Sequence, residues 1–510
     1  MRGLALASIA AAVLIVAARY GSFVAGGSDS YCYVYQSGRW AALLQHPFTE
    51  SLQEINPLAL EAPWPNAAGT FAPAGHIPSP TVRGAVVPIC SAGLSIVMAP
   101  FRLVAGPSAV FAVVPLFGVV LVLATAAVGS RYGARIGVGA ALLVACGPAF
   151  LYQLVQPMSD VPAAALWMVA VAFATGTKPR HVAIAGIVTS AAILVRPNLV
   201  PLGFVIGAFL LFRPERSWRQ RIGAAVTYAA WCIPGCLAVT MIQWAFYGSP
   251  LSSGYGSTDV LFRTERVPAN LTRYGTWLWQ MYTPLIAAGL VAPLLLPGGL
   301  TLLCIGLVAV NVALYLPYIV FDDWTYLRFL LPAIPLLIVL MVAVLDAGLR
   351  RLGRIRTNAI LAVVSIALAV VFMRHARDGS TFRLQQMETR FERAGRFVGD
   401  RLPANAIVFA LWESGSVRYY GQRNTIVWDQ LDPAWLDRAV EYVRARGLRP
   451  YFLFEGPEEG NFRARFAAAS DVGSVDWPPM ADILSRARIF NLDDRARYLS
   501  GQRVPTEYVR

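Results

Sequence analysis

Two acidic residues stand where acids cost free energy. Asp29 lies in Gly26-Gly27-Ser28-Asp29-Ser30, just past the first apolar run, and Asp160 lies in Gln156-Pro157-Met158-Ser159-Asp160-Val161-Pro162, at the edge of another. A carboxylate at the mouth of an apolar bundle is unfavourable unless it is solvated or used. Within hydrogen-bond reach of a hydroxyl, it can accept that hydroxyl's proton. Two such acids on one face, far apart in sequence, point to a reaction site rather than an anchor. Whether they share a face depends on how the segments between them run.

Those segments are apolar. The 510 residues are 56% hydrophobic and 14% charged, with a mean hydropathy of +0.54. Runs near the roughly 20-residue spanning length recur over the first three quarters of the chain. This composition belongs to a polytopic α-helical membrane protein. The net charge of +14 does not imply nucleic acid, because the basic residues cluster in short loops, as the positive-inside rule expects. The first run, residues 4–25, follows only Arg2 and lacks a small-x-small cleavage site, so it reads as a retained helix. Cysteine usage gives no metal spacing. Cys90, Cys146, Cys232, Cys236 and Cys304 lie in apolar runs and read as packing residues; Cys32 lies outside one, and a Cys32–Cys90 bridge is not expected.

Four basic loops set the topology: Arg131/Arg135, Lys178/Arg180/His181, Arg213/Arg216/Arg219/Arg221 and Arg350/Arg351/Arg354/Arg356. All four fall on the cytoplasmic side if there are about eleven spans and residues 85–101, broken by Pro88, Gly93 and Pro100, do not cross. Arg196-Pro197-Asn198 then forms a tight hairpin between 182–195 and 199–212, since proline interrupts the helical ladder and biases the residue before it away from helix. The N-terminus is cytoplasmic. Residues 26–108, the 156–160 turn, the 247–276 loop and the 321–326 loop share the outer side, and with them Asp29, Asp160, Asp322 and Asp323.

Residues 376–510 change character. Ala406–Trp412 and Pro450–Phe454 read as buried strands. Between them, 433–447 has helical spacing, with Leu436, Val440 and Val443 on one stripe and Gly447 as the stop. Strand–helix–strand order predicts a small extracytoplasmic α/β domain with a parallel sheet. It has no phosphate-type glycine loop and no metal spacing, so a structural or acceptor-docking role is expected.

Taken in order, these motifs resemble one superfamily. An acid in a long first outer loop (26–108), a second acid in Met158-Ser159-Asp160-Val161-Pro162, and a later Tyr326-Leu327-Arg328-Phe329-Leu330-Leu331-Pro332-Ala333-Ile334-Pro335 are similar to the GT-C integral-membrane glycosyltransferases. The likeness is to the bacterial part of the branch holding protein mannosyltransferases and aminoarabinose transferases. Arg196-Pro197-Asn198 and the Gly248–Gly256 stretch also resemble that branch. The likeness covers about residues 1–375. It implies a polyprenyl-phosphate-linked sugar donor, a glycan, lipid or protein acceptor, surrounding membrane lipids, and inversion at the anomeric carbon. It also implies catalysis at the outer face of a bacterial inner membrane.

Such a transfer needs a base for the acceptor hydroxyl and a cation for the departing lipid phosphate. Asp29 is the expected base and Asp160 its assistant, although either acid has a plainer use capping the helix that follows. Arg328, opening an apolar span, suits bidentate phosphate contact; plain snorkelling to headgroups is the alternative. Arg196 and Arg83 are further phosphate candidates. Tyr31, His76, Tyr255, Asp322 and Asp323 are candidates to line the substrate, with His76 ranked low because a histidine in a proline-rich loop is usually exposed. Tyr31, Tyr33 and Tyr35 alternate after Asp29 and have the spacing to stack on a sugar, although an interfacial belt is the commoner use of such tyrosines. The resemblance leaves a divalent metal open, without dense ligand spacing to hold one. A carrier of lipid-linked sugars is the main alternative, though carriers usually place charge near the midplane and show an internal repeat. An inactive scaffold is the other.

Overall fold

The computed structural model describes residues 2–213 and 217–509, apart from the Arg354 side chain; Arg216 of the third basic loop lies outside the described residues. Among the described residues, four helices are long and apolar enough to cross a membrane: Arg2–Tyr20, Pro107–Gly129, Trp218–Tyr247 and Ile355–Asp378. Three bent pairs bring that number to as many as 7: Ala134–Ala145 with Pro148–Leu154, Thr258–Tyr282 with Pro284–Leu295, and Trp324–Leu330 with Ile334–Leu352. Four more expected segments form the shorter helices Asp160–Ala174, Pro179–Val195, Pro197–Phe212 and Gly299–Tyr315. The chain is an integral membrane protein. Ile334–Leu349 runs through its middle with every residue from Ile334 to Val344 buried. The Trp218–Tyr247 helix instead turns Val226, Trp231, Leu237, Met241 and Trp244 outward, an apolar face suited to lipid.

Prolines and small residues decide where the helices break. Arg196-Pro197-Asn198 ends one helix, and the chain returns beside it: Arg213 donates to the Gly176 carbonyl at 3.0 Å, which brings the far end of the second helix back to the start of the first. The hairpin reading therefore holds. Thr283, at φ +64° before Pro284, turns the chain by 110° between its two helices. Residues 85–101 are not one run but a strand followed by the Ala92–Ala105 helix.

Contacts gather the basic loops at one end. Arg135 pairs with Asp346 and reaches Asn358 at 2.7 Å. Tyr132 bonds Thr301 at 2.8 Å, Phe209 packs at Gly299, and Arg213 closes on Gly176. Asp346, almost wholly buried between Arg135 and Arg350, is the anion that holds two of these loops together. The other end holds Asp29, Asp160, Arg196 and Arg328, so the two acids share a face.

Above that face are two sheets. Strands β1 (Glu54–Ile55), β2 (His76–Pro78) and β3 (Ala85–Pro88) form the small one, in the order β1-β3-β2 and antiparallel throughout. The large one comprises β4 (Ala406–Ala410), β5 (Asn424–Val427), β6 (Arg449–Glu455), β7 (Ala481–Ile483), β8 (Ala487–Asn491) and β9 (Glu507–Val509), in the order β5-β4-β6-β8-β7-β9. β4 is parallel to β5 and β6, but β8 is antiparallel to β6 and β7. The expected parallel sheet is thus mixed. Leu484 and Ser485 both have positive φ, the signature of a two-residue hairpin turn, and a hairpin can only join antiparallel strands. The Leu436–Ala445 helix buries Leu436, Val440 and Val443 as the spacing predicts, with Gly447 beyond it at φ +72°.

The aromatic core of the large sheet includes Ala59, Trp64 and Phe71 from the first long loop alongside Phe409, Phe452, Phe462 and Trp477. The loop and the sheet are packed as one unit. If the arginine-rich end is cytoplasmic, cysteines introduced at exposed positions will separate by side. Ser257→Cys is expected to react with a membrane-impermeant thiol reagent on intact cells, and Lys178→Cys to react only after permeabilisation.

Candidate active site

Gly26 and Gly27 deliver the chain to the helix Asp29–Gln45, with Gly27 at φ +57°. Asp29 is the first residue of that helix. Its side chain makes no capping bond but accepts from both terminal nitrogens of Arg328, each at 3.2 Å. Arg328 rides on the 3-10 helix Trp324–Leu330, started by the Asp323 side chain on the Thr325 N–H at 2.8 Å. Its guanidinium lies 5.2 Å from the Phe329 ring and 5.4 Å from Tyr326, within cation–π range. Nε of Arg328 has no partner.

A second pair stands beside the first. Arg196, at the proline break, comes within 2.7 Å of the fully buried Asp160. Its guanidinium also lies over Phe329, at 5.7 Å. Asp160 is the first residue of its helix and, like Asp29, does not cap it. Neither carboxylate oxygen of Asp160 has a hydrogen bond in good geometry, and Nη1 of Arg196 has no partner. Tyr33 ties the two acid-bearing helices by donating to Ser159 at 2.9 Å. Burial and the Asp29 charge push the Tyr33 phenol up to about 12, so it stays a donor. Tyr255 is 40% exposed, and its phenol is near enough to feel the charges of Asp29, Arg328 and Arg196.

The remaining candidates lie elsewhere. Asp322 is exposed and paired with Arg273, and Asp323 is a helix cap; neither lines the pairs, because the 321–326 loop uses both acids to fix its own shape. Arg83 is exposed and takes part in none of these contacts. Tyr31 is fully buried against Gly415. His76 is buried, not exposed, because the β2–β3 hairpin carries it onto the helix, where it meets Gln36 at 3.2 Å and the rings of Tyr31 and Tyr35. Burial holds its imidazole down to about 4 against the pull of Glu54. Tyr31, Tyr35 and His76 belong to a network that fastens the first loop to the large sheet. Tyr35 donates to Glu54 at 2.5 Å, and Arg418 reaches Glu54 at 3.2 Å and the Phe71 carbonyl at 2.7 Å.

Cys32 and Cys90 form a disulfide, contrary to expectation. Cys90 follows β3 rather than packing within an apolar helix, and the hairpin brings it to the first turn of the Asp29 helix. The Cα atoms are 6.2 Å apart, inside the usual range. Sequence reasoning also missed Phe329 as the surface shared by both arginines and Ser159 as the tie. Arg328-Phe329 adjacency was the available signal for the first. Among the described residues no group of three or more His, Cys, Asp or Glu side chains is gathered to hold a metal, and Asp29 and Asp160 face arginines.

No family model and no curated protein matches the sequence. Solved structures do match. ArnT from Cupriavidus metallidurans bound to undecaprenyl phosphate aligns with a TM-score of 0.56 at 11% identity, over 95% of this chain and 97% of that one. The chain shares the fold of this ArnT over nearly its whole length. The apo state of the same ArnT aligns at 0.53 and 12%, over 90% and 94% of the two chains. The Archaeoglobus fulgidus oligosaccharyltransferase in complex with Zn and sulfate aligns at 0.54 and 12%, over 92% of this chain and 70% of that one. At such identities the likeness is one of fold.

Within this fold the two ion pairs differ in burial, and that sets a stability prediction. Removing one partner of a buried pair strands the other charge and costs about 3–5 kcal/mol. Arg196→Ala strands Asp160, which is 0% exposed, whereas Arg328→Ala strands Asp29, which is 24% exposed. Arg196→Ala is expected to lower the melting temperature of the detergent-solubilised protein well below that of Arg328→Ala. Adding Asp160→Asn to Arg196→Ala should restore part of the loss.

Proposed function

We propose that this chain is a membrane glycosyltransferase that moves a hexosyl or pentosyl group from a polyprenyl-phosphate donor to an acceptor hydroxyl. The observation that carries the reading is the pair of guanidinium groups flanking Phe329. Each has an N–H without a partner, and one is held by the most exposed acid of the cluster. Two such groups at the rim of an apolar bundle fit a lipid phosphate: arginine offers a planar fork to the oxygens, and the bundle's apolar surface suits the tail. The fold shared with an ArnT that binds undecaprenyl phosphate supports the same donor class.

In this reading Arg328 exchanges Asp29 for the donor phosphate. The freed Asp29 carboxylate then accepts the acceptor hydroxyl's proton as the new C–O bond forms at the anomeric carbon. The bond from that carbon to the phosphate oxygen breaks on the opposite face, which inverts the configuration. The departing polyprenyl phosphate takes the electron pair, and its negative charge stays on Arg328 and Arg196. Asp160 is a positioning residue that holds Arg196 against Phe329. Catalysis faces the outside: the basic loops share the opposite end, and a disulfide next to the base suits an oxidising compartment. Residues 376–510 would then stand outside the membrane, above the site. Acids and arginines gathered at one rim favour this reading over a carrier.

The test is transfer from synthetic polyprenyl-phosphate hexoses and pentoses by the purified protein. Arg328→Ala is expected to weaken undecaprenyl phosphate binding about tenfold or more, the loss of a charged hydrogen-bonding group. Arg328→Lys should recover only part, because a point charge replaces the fork. Phosphate binding in Arg328→Ala equal to wild type would assign Arg328 to snorkelling. Binding without transfer from any such sugar would favour a carrier or an inactive scaffold.

A further inference from the structure

The ring shared by the two guanidinium groups is itself held, and one helix supplies the grip. Asn311 and Tyr315 stand four residues apart near the end of Gly299–Tyr315, so their side chains leave the same face. Both are buried, and both reach Phe329. The Asn311 amide donates to the Phe329 carbonyl at 3.1 Å. The Tyr315 ring lies nearly parallel to the Phe329 ring, with centroids 4.8 Å apart and planes 8° apart. Tyr318 meets the same ring edge-on at 5.3 Å. Such ring pairs contribute beyond the area they bury.

Tyr315 also reaches the segment of the other arginine. Asn198, two residues after Arg196, donates to the Tyr315 hydroxyl at 2.7 Å. The proline break that turns Arg196 inward is thereby pinned to the residue that stacks on Phe329. The contacts close a circuit. Asn198 binds Tyr315, Tyr315 stacks on Phe329, and Phe329 has the Arg328 guanidinium at 5.2 Å and that of Arg196 at 5.7 Å. The chain just past Tyr315 is fixed as well: the Asn270 amide donates to the Leu316 carbonyl at 2.9 Å and to the Tyr318 carbonyl at 2.8 Å. Two like charges this near one another repel, so a fixed element must set their spacing.

We infer that Tyr315 is a positioning residue for phosphate binding. Its ring fixes Phe329 and with it the neighbouring Arg328; its hydroxyl fixes Asn198 and with it Arg196. The two guanidinium groups are thereby spaced to hold one anion between them. Tyr315 does not touch the donor, since it is buried. The Arg328 and Arg196 side chains remain 18% and 12% exposed, and they are the groups an anion meets. Cations held in place beforehand need no rearrangement when negative charge arrives. This role rests on the reading of Arg328 and Arg196 as the site of the donor phosphate.

Affinity for the phosphate, separated from affinity for the tail, tests the role. The full-length protein in detergent is titrated with undecaprenyl phosphate and with undecaprenol, which has the tail and no phosphate. Wild type is expected to prefer the phosphate. Tyr315→Leu removes ring and hydroxyl together, and the Kd for undecaprenyl phosphate should rise about tenfold. Tyr315→Phe keeps the stack and loses only the hydroxyl, so a rise of about threefold is expected. Asn198→Ala should match it, and the double variant Asn198→Ala/Tyr315→Phe should be no worse than either, because one bond joins the two residues. Undecaprenol binding should not change in any of them. A preference for the phosphate that is unaltered in Tyr315→Phe and Asn198→Ala would overturn the role. So would equal weakening of both ligands, the mark of a residue that only supports the bundle. Wild-type protein that binds the two ligands alike would instead overturn the phosphate reading on which the role rests.

Discussion

The site depends on two aspartate–arginine pairs meeting over one phenylalanine ring. Four charges at the rim of an apolar bundle are tolerable only if each finds its opposite. Asp29 has Arg328, Asp160 has Arg196, and Phe329 receives both guanidinium groups on its ring. The requirement shapes the bundle. Pro197 must end a helix where Arg196 can turn inward, and Pro332 lies at the 85° bend that lets the Arg328 segment lie across the rim before the Ile334–Leu352 helix descends. The Asp29 helix must begin at its aspartate, which the glycine pair before it permits. A pairing that leaves two arginine N–H groups idle is incomplete as it stands, and an anion would complete it.

The Asp29 helix is held from above as well as from below. Tyr33 fixes it to Ser159, the Cys32–Cys90 disulfide fixes its first turn to the end of β3, and Tyr35 joins it to Glu54 and thence to Arg418 near the large sheet. Gly415 lies so close to the Tyr31 ring that a Cβ there would sit 2.5 Å from it, so this docking requires glycine. The C-terminal residues therefore pack against the helix that carries Asp29.

Much of this was legible in the sequence. Apolar runs and arginine loops gave the bundle and the shared face of Asp29 and Asp160, because membrane insertion writes charge and length into the chain directly. The strands at 406–410 and 449–455 followed from their apolar runs. What failed was set by partners distant in sequence. Arg83 and His76 were read by their loop, yet one is exposed and the other buried, because a hairpin invisible to local pattern decides which face each shows. Cys90 looked like a packing residue because an apolar strand followed by an apolar helix has the composition of one apolar run. The antiparallel half of the large sheet hinges on a two-residue turn at Leu484-Ser485, whose residue types do not announce positive φ.

The central claim is that Arg328 is held by Asp29 at rest and by a lipid phosphate during reaction, so that the same carboxylate competes with the donor and then serves as the base. Asp29→Asn separates these roles in one variant. Titration of the purified protein with undecaprenyl phosphate, paired with a transfer assay, should give tighter phosphate binding than wild type, because the competing anion is gone. Transfer should fall by about 10²-fold or more, because the proton acceptor is gone. Phosphate binding that weakens in Asp29→Asn, or transfer that persists at the wild-type rate, would contradict the account.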